Sequence, residues 1–514
     1  MEKEIQLNSR IISQIAAFVL YLGLMIIVGL RTARKNNSAS DFFLGGRKMG
    51  PWITALSAEA SDSSAWLLMG LPGLCYLGGF KETFWTAIGL IVGTYLAWLI
   101  IAKPLRKCSV AFGNSITIPE FLTNRFNDKT KILSIVSVIF IVLFFTIYTA
   151  SGFVACAKLF NSVFGINYYV GLLIGMIIIL SYTIMGGFTA VCTTDFLQGS
   201  LIFVAFIISS VIIVFSLGSP SEAVRKVTEF SQNALNGDFG KDMQTSFFGN
   251  QSFSIKSAIS ALAWGLGYFG MPHIIIRFMG IRSNKEIKKA RRVGIIWMII
   301  SYIGAIAIGA LGTAYLAGKG IILNGEGGDA ETVFSVTMVN MYPAFIGGIF
   351  LCGILAAAMS TADSQLLAAS SAVGQDIFKN IIKKDADDKT VLLVSRITVL
   401  VIAAVAFLLS LDPNSSVFGL VSYAWAGFGG TFGPLIILAL FWKGTTNKGA
   451  IAGLVCGGAT VVLWHNLSGG LFDLYEILPA FIICLIVTIV VSLIDKNKNP
   501  EMLKTFEEYK AMED

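Results

Sequence analysis

The sequence predicts an all-α protein that crosses a membrane many times, and three observations lead there. Hydrophobic residues fill 55% of the 514 positions and charged ones only 13%, about half the charge of a soluble domain, and mean hydropathy is +0.75. Apolar runs long enough for a bilayer core, ~20 residues each, recur thirteen times. Basic residues between the runs alternate in abundance, as they do between cytoplasmic and outer loops. A water-soluble globule is excluded, and so are collagen-like and Pro-rich chains, because 52 glycines stand against 11 prolines with no three-residue period.

The first run, 11–30, has no small-residue cleavage site and is followed at once by Arg31, Arg34 and Lys35, so it is a retained helix rather than a signal. The second, 52–77, carries Glu59 and Asp62 at membrane depth and then Pro72 and Gly73. The third is 83–101, and the fourth, 132–160, has a polar interruption at 146–152 around Tyr148. The fifth is 167–185, and the sixth, 197–217, opens just after Asp195. The seventh, 258–279, holds Gly265, Gly267, Gly270 and Pro272 in close succession; the eighth is 293–317. Small and hydroxylated residues line one side of the ninth, 344–373. The last four are 391–411, 417–442, 450–467 and 477–494. An odd count puts the termini on opposite sides. With the N-terminus outside, the inner segments hold 29 of the 38 lysines and arginines, seven of them in 277–292.

Runs two and seven are the interrupted ones, and they stand five apart. Residues 51–217 and 258–442 therefore read as two five-helix units, the pattern of an inverted-repeat secondary transporter with its site near the midplane. Residues 1–50 form an extra helix and inner loop, 218–257 an outer loop, and 443–514 two more helices with a short tail. Close packing accounts for small residues in a span. It does not account for Asp62, since a carboxylate at span centre costs ~2.5–3.5 kcal/mol and must face a cavity or a partner.

Glycine and proline inside a span free carbonyl oxygens, which survive in lipid only against protein or a watery site. A hard monovalent cation takes such oxygens together with hydroxyls. Ser360 and Thr361 supply adjacent hydroxyls, Ala357 lies one turn earlier, and Ala60 and Ser63 flank the interruption of the second run. The same hydroxyls also fit back-bonding to the preceding helical turn. Asp195 fits either a helix cap or a cation path, and Asp363 is an unexplained acid inside a span. Trp264 and Tyr268 share a helical face, Trp66 lies four residues after Asp62, and such rings suit the ammonium of a small zwitterion as well as simple packing.

Other chemistries find little footing. His273 and His465 have no His or Cys at ligand spacing, and His273 reads as a hydrogen-bonding helix-end residue. The seven cysteines form no C-x-x-C pair and read as buried small hydrophobes. No Walker A string appears, so energy must come from a gradient. The net charge of +7 is spread over short loops, which argues against nucleic acid as a partner. Neither an enzyme nor a cofactor is expected.

The strings LGGR (44–47), TALSAEASDSSAWLLMGLPG (54–73), LFFTIYTASG (143–152), GGFTAVCTTD (186–195), WGLGYFGMPH (264–273), ILAAAMST (354–361) and VSYAWAGFG (421–429) resemble the sodium/solute symporter family, and within it the bacterial sodium/proline symporters. The resemblance spans nearly the whole chain in order. It implies a LeuT-type five-plus-five inverted repeat over helices 2–6 and 7–11. It implies one sodium held by backbone oxygens of Ala60, Ser63 and Ala357 and hydroxyls of Ser360 and Thr361, with Asp62 in support. Proline would lie beside the ion against Ser64, Ala65, Trp66, Tyr148, Trp264 and Tyr268, and Arg47 and Asp195 would serve coupling or the ion path. Three departures stand out. Ser63 and Ala65 replace Met and Gly of the family pattern, Glu59 replaces Gly or Gln, and Asp363 is new. Asp195, Asp363 and Ser364 are therefore candidates for a second cation site.

The expected function is sodium-coupled import of L-proline across the plasma membrane, with the C-terminus in the cytoplasm. Rivals are the same machine carrying another amino acid or an organic acid, and, in a different class, a transporter-derived sensor or a channel.

Overall fold

The computed structural model describes residues 2–33, 39–183, 187–235, 254–323, 328–495 and 500–512. Arg34 and Lys35, Gly186 and most of the expected outer loop (236–253) lie outside the described residues. Among the described residues the chain is helical throughout, with one isolated β-bridge between Met49 and Ile281.

Among the described residues, ten helices are long and apolar enough to cross a bilayer alone, and a bent pair, Ile255–Phe269 with Pro272–Gly280, makes an eleventh across a 43° break. Two expected spans fail that test for physical reasons. The second consists of Pro51–Ala65, a π turn Trp66–Gly70 and Leu71–Gly78, because the backbone turns over at Ser64. The fifth, Tyr168–Thr183, has only 16 described residues.

Several helices outrun their apolar cores. The sixth begins at Phe188, not 197, and Asp195 is buried within it. The ninth continues through a π-helical stretch to Ile382. The fourth, Ile132–Phe164, is unbroken where an interruption was expected. Its polar residues are satisfied without opening the helix: Thr146 Oγ1 donates to Val142 O (2.6 Å), Ser151 Oγ to Tyr148 O (2.7 Å) and Thr149 Oγ1 to Gln365 Oε1 (3.3 Å).

Burial separates centre from rim. In Val417–Phe441 and Ala344–Ile382, 89% and 78% of the apolar window is buried, against 22% in Asn8–Arg31 and 28% in Ile477–Ile494. The central helix Ala344–Ser371 packs against Pro51–Ala65, Ile132–Phe164 and Phe188–Ser216. The break of the bent pair rests on a glycine face of Phe80–Leu96, where a Cβ on Gly93 would lie 2.3 Å from Gly265 O. Backbone meets backbone there, so nothing flexible can yield. Gly93→Ala is therefore expected to destabilise the purified protein by about 1–3 kcal/mol through overpacking, read as a lower melting temperature. Gly23→Ala, with nothing within 4 Å of the added carbon, should not lower it.

Candidate functional site

The site begins with one residue. Ser64 has φ +45° and ψ −177°, a conformation almost confined to glycine that persists only where its surroundings enforce it. Just before it, three successive carbonyls accept side-chain hydrogen bonds from other spans. Ala60 O takes the Ser360 hydroxyl at 2.9 Å; Ser61 O takes Thr361 Oγ1 at 2.8 Å and His273 Nε2 at 3.2 Å; Asp62 O takes the Tyr148 hydroxyl at 3.5 Å. Because a carbonyl only accepts, His273 carries its proton on Nε2.

Ser360 Oγ also lies 3.1 Å from Ala357 O. Two of the five expected sodium ligands, the carbonyls of Ala60 and Ala357, thus converge on a third, the Ser360 hydroxyl. Thr361 is alongside but bonds the carbonyl of Ser61, a residue the sequence reading did not single out. The Ser63 carbonyl accepts from Trp66 N–H, and the Ser63 hydroxyl donates to Glu59 O (2.6 Å). The convergent atoms are all oxygens, the donor set a hard cation prefers.

The two interruptions are tied together by Asp62, whose Oδ2 accepts the Tyr268 hydroxyl. Trp66 and Trp264 pack with ring centroids 5.2 Å apart, and Phe418 covers both at 6.1 and 5.4 Å. Trp425 sits 5.1 Å from Tyr268 and donates its indole N–H to Trp264 O at 2.7 Å. A Cβ on Gly267 would fall 2.1 Å from that indole nitrogen, so the glycine admits the ring. Ala65 is fully buried at the break, and Trp66 Nε1 is buried with no partner among the described residues. The expected solute residues Ser64, Ala65, Trp66, Tyr148, Trp264 and Tyr268 therefore gather around the two breaks. Phe418 and Trp425 were missed, although the run around Trp425 is aromatic enough to have flagged it.

Beyond Phe418, at the Gly78 end of the second span, lies a cavity of about 510 Å³ lined by Gly70, Gly73, Lys158, Asp329 and Glu331 among others. Lys158 pairs with Glu331 at 2.6 Å and Asp329 at 2.8 Å. Glu331 also accepts the N–H groups of Val417 (3.0 Å) and Phe418 (2.8 Å), capping the helix that carries Phe418.

At the opposite end two arginines tie neighbouring segments together. Half-buried Arg47 donates to Met279 O (2.7 Å), Ser115 O (2.9 Å), Ser109 Oγ (3.2 Å) and Asn114 Oδ1 (3.1 Å). Burial lowers its pKa to about 10, so it keeps its charge near neutrality. Arg106 donates to Ile281 O (2.7 Å) and Arg282 O (2.8 Å), beside the Met49–Ile281 bridge.

Between these arginines and the site lies a buried charge cluster built on Arg277, which the sequence reading had counted among the loop charges. It bonds Asp195 Oδ2 (3.0 Å) and Ser364 Oγ (2.6 Å). Asp363 is elsewhere: its carboxylate accepts the Thr183 hydroxyl, and Oδ2 has no partner among the described residues. Of the three second-site candidates, two therefore share an arginine and the third faces another span. Glu59 accepts from Trp98 Nε1 at 3.2 Å. His273, at the start of Pro272–Gly280, is fully buried against the centre of the second span.

The chain is similar to known transport proteins over nearly its whole length. The chain is 43% identical to the high-affinity proline transporter PutP of Bacillus subtilis over 486 residues, which covers 94% of this chain and 99% of that one. It is 42% identical to the sodium/proline symporter of Escherichia coli K12 over 97% and 96% of the two chains. A substrate-bound, outward-open Na⁺-coupled sialic acid symporter shares the fold at TM-score 0.77 and 20% identity, over 95% of this chain and 99% of that one. The description of the sodium:solute symporter family matches residues 42–457, and the chain belongs to that family.

Proposed function

We propose that this protein is a symporter that imports L-proline across the plasma membrane on the inward sodium gradient by alternating access. The observation that carries this reading is the meeting of Ala60 O, Ala357 O and Ser360 Oγ within 3.1 Å beside the tryptophans of the two interrupted spans. One sodium joins those oxygens with Thr361 Oγ1 and Ser63 O, bridging the second and ninth spans. Asp62 holds the two interruptions in register through Tyr268. The solute lies between Trp66, Trp264, Tyr268 and Tyr148, with its carboxylate on the spare Trp66 N–H and backbone of Ser64 and Ala65, and its ammonium against the rings.

The cavity beside Phe418 is the outer approach, and the Arg47 and Arg106 clasp is the closed inner exit. Thirteen spans, with residues 51–217 and 258–442 as the two repeat units, the N-terminus outside and the C-terminus in the cytoplasm, fit the basic residues even with Arg277 removed from the loops. No catalytic role and no resident cofactor are needed; sodium is cargo. The buried methyl of Ala65, where the family pattern has glycine, favours as a second reading a solute of different shape in the same site.

Labelled-proline uptake into proteoliposomes under a sodium or a choline gradient, competed by a panel of amino acids and organic acids, tests the reading. A ligand shifts an equilibrium only by its differential affinity for the two states, and the effect is reciprocal. Sodium is expected to tighten proline binding by the same factor, roughly 5–150-fold, as proline tightens sodium binding. Equal proline affinity with and without sodium would remove the coupling.

A further inference from the structure

Arg277 grips a set of oxygens that suits a free cation. Its Nε donates to Ser57 Oγ (2.8 Å), and Nη2 to Ser61 Oγ (2.6 Å), Ser364 Oγ (2.6 Å) and Asp195 Oδ2 (3.0 Å); Nη1 donates to the His273 carbonyl. One carboxylate, three hydroxyls and one carbonyl are the ligands a hard monovalent ion takes. Asp195 Oδ1 is buried and has no partner among the described residues, so the carboxylate keeps an acceptor in reserve. The cluster adjoins the proposed sodium site: Ser364 Oγ donates to Ser360 O at 2.8 Å, and the Ser61 carbonyl accepts Thr361 Oγ1.

We infer that the Arg277 guanidinium is a resident cation standing in the place of a second coupling ion. The inference rests on the sodium-coupled reading above. A guanidinium never gives up its charge at physiological pH. A second sodium there would set two desolvated positive charges against one carboxylate, whose attraction cannot repay both dehydrations. Without the guanidinium, the same carboxylate and hydroxyls form an uncompensated anionic cage, and sodium is the ion at hand to fill it.

The experiment measures ²²Na⁺ bound per purified protein and the sodium Hill coefficient of proline uptake, in the wild type, Arg277→Gln, Arg277→Lys and the double variant Asp195→Asn/Arg277→Gln. The wild type and Arg277→Lys are expected to bind one sodium with a Hill coefficient near one. Arg277→Gln should bind twice as much, with a coefficient approaching two, and the charge-neutral double variant should return to one. A merely structural Arg277 would leave the count unchanged in every variant. One sodium in Arg277→Gln, or two in the wild type, overturns the inference. If Arg277→Gln transports nothing, its melting temperature in sodium against choline decides: a steeper dependence on sodium than the wild type's is expected, and an equal or weaker one overturns the inference. A wild type that binds no sodium would sink the symport reading itself, which is a distinguishable result.

Discussion

Sodium-driven proline uptake is expected to vanish when Ser360 and Thr361 are both replaced by alanine. The two hydroxyls are the only side-chain ligands proposed for the ion, and hydrogen-bond-scale contacts to a charge are worth ~1.5–3 kcal/mol each. Losing both weakens sodium binding by roughly 10²- to 10⁴-fold, beyond what ordinary external sodium can saturate. Each hydroxyl also holds a carbonyl of the second span, at 2.9 Å for Ser360 and 2.8 Å for Thr361, so the single variants should show smaller shifts of the same sign. Uptake against sodium concentration, normalised to the protein present in the membrane, checks this. Half-saturation at the wild-type sodium concentration in the double variant would rule out these hydroxyls as ligands.

The second large effect is expected at Glu331. Its carboxylate is nearly buried against Lys158 and accepts four bonds: from Lys158, from the Ser416 hydroxyl (2.8 Å) and from the N–H groups of Val417 and Phe418. A glutamine there has one acceptor oxygen and presents hydrogens to donors. Breaking a buried pair from one side costs ~3–5 kcal/mol, and here the start of helix Val417–Phe441 loses its anchor as well. Glu331→Gln should therefore melt several degrees lower and bind proline more weakly, because Phe418 leaves its packing on Trp66 and Trp264. Melting temperature and proline affinity together decide the matter. A variant unchanged in both would mean that the carboxylate anchors nothing.

How much of this was legible in the sequence depends on what kind of signal each feature leaves. The two interruptions were readable because glycine, proline and Asp62 are hard to place in lipid. Their meeting with Ser360 was expected from family resemblance and from the chemistry of oxygen ligands. The polar stretch around Tyr148 misled, because composition cannot tell a broken helix from one whose hydroxyls bond back onto it. Arg277 was misplaced because it stands at the edge of an apolar run, where a charge reads as loop. Only packing shows that Asp195, three serines and a helix turn surround it. Phe418 and Glu331 left no signal, since neither a lid nor a helix cap formed by a distant residue has a local pattern.

The clasp of Arg47 and Arg106, which the proposed orientation places at the inner exit, has a consequence for the cell. Arg47 and Arg106 hold their partners mainly through peptide carbonyls and neutral side chains, not carboxylates. Mobile ions screen exposed charge pairs within a Debye length of about 8 Å at physiological strength, but they find little to screen in a half-buried guanidinium facing dipoles. On the proposed orientation, release at this clasp is expected to depend only weakly on the ionic strength of the cytosol.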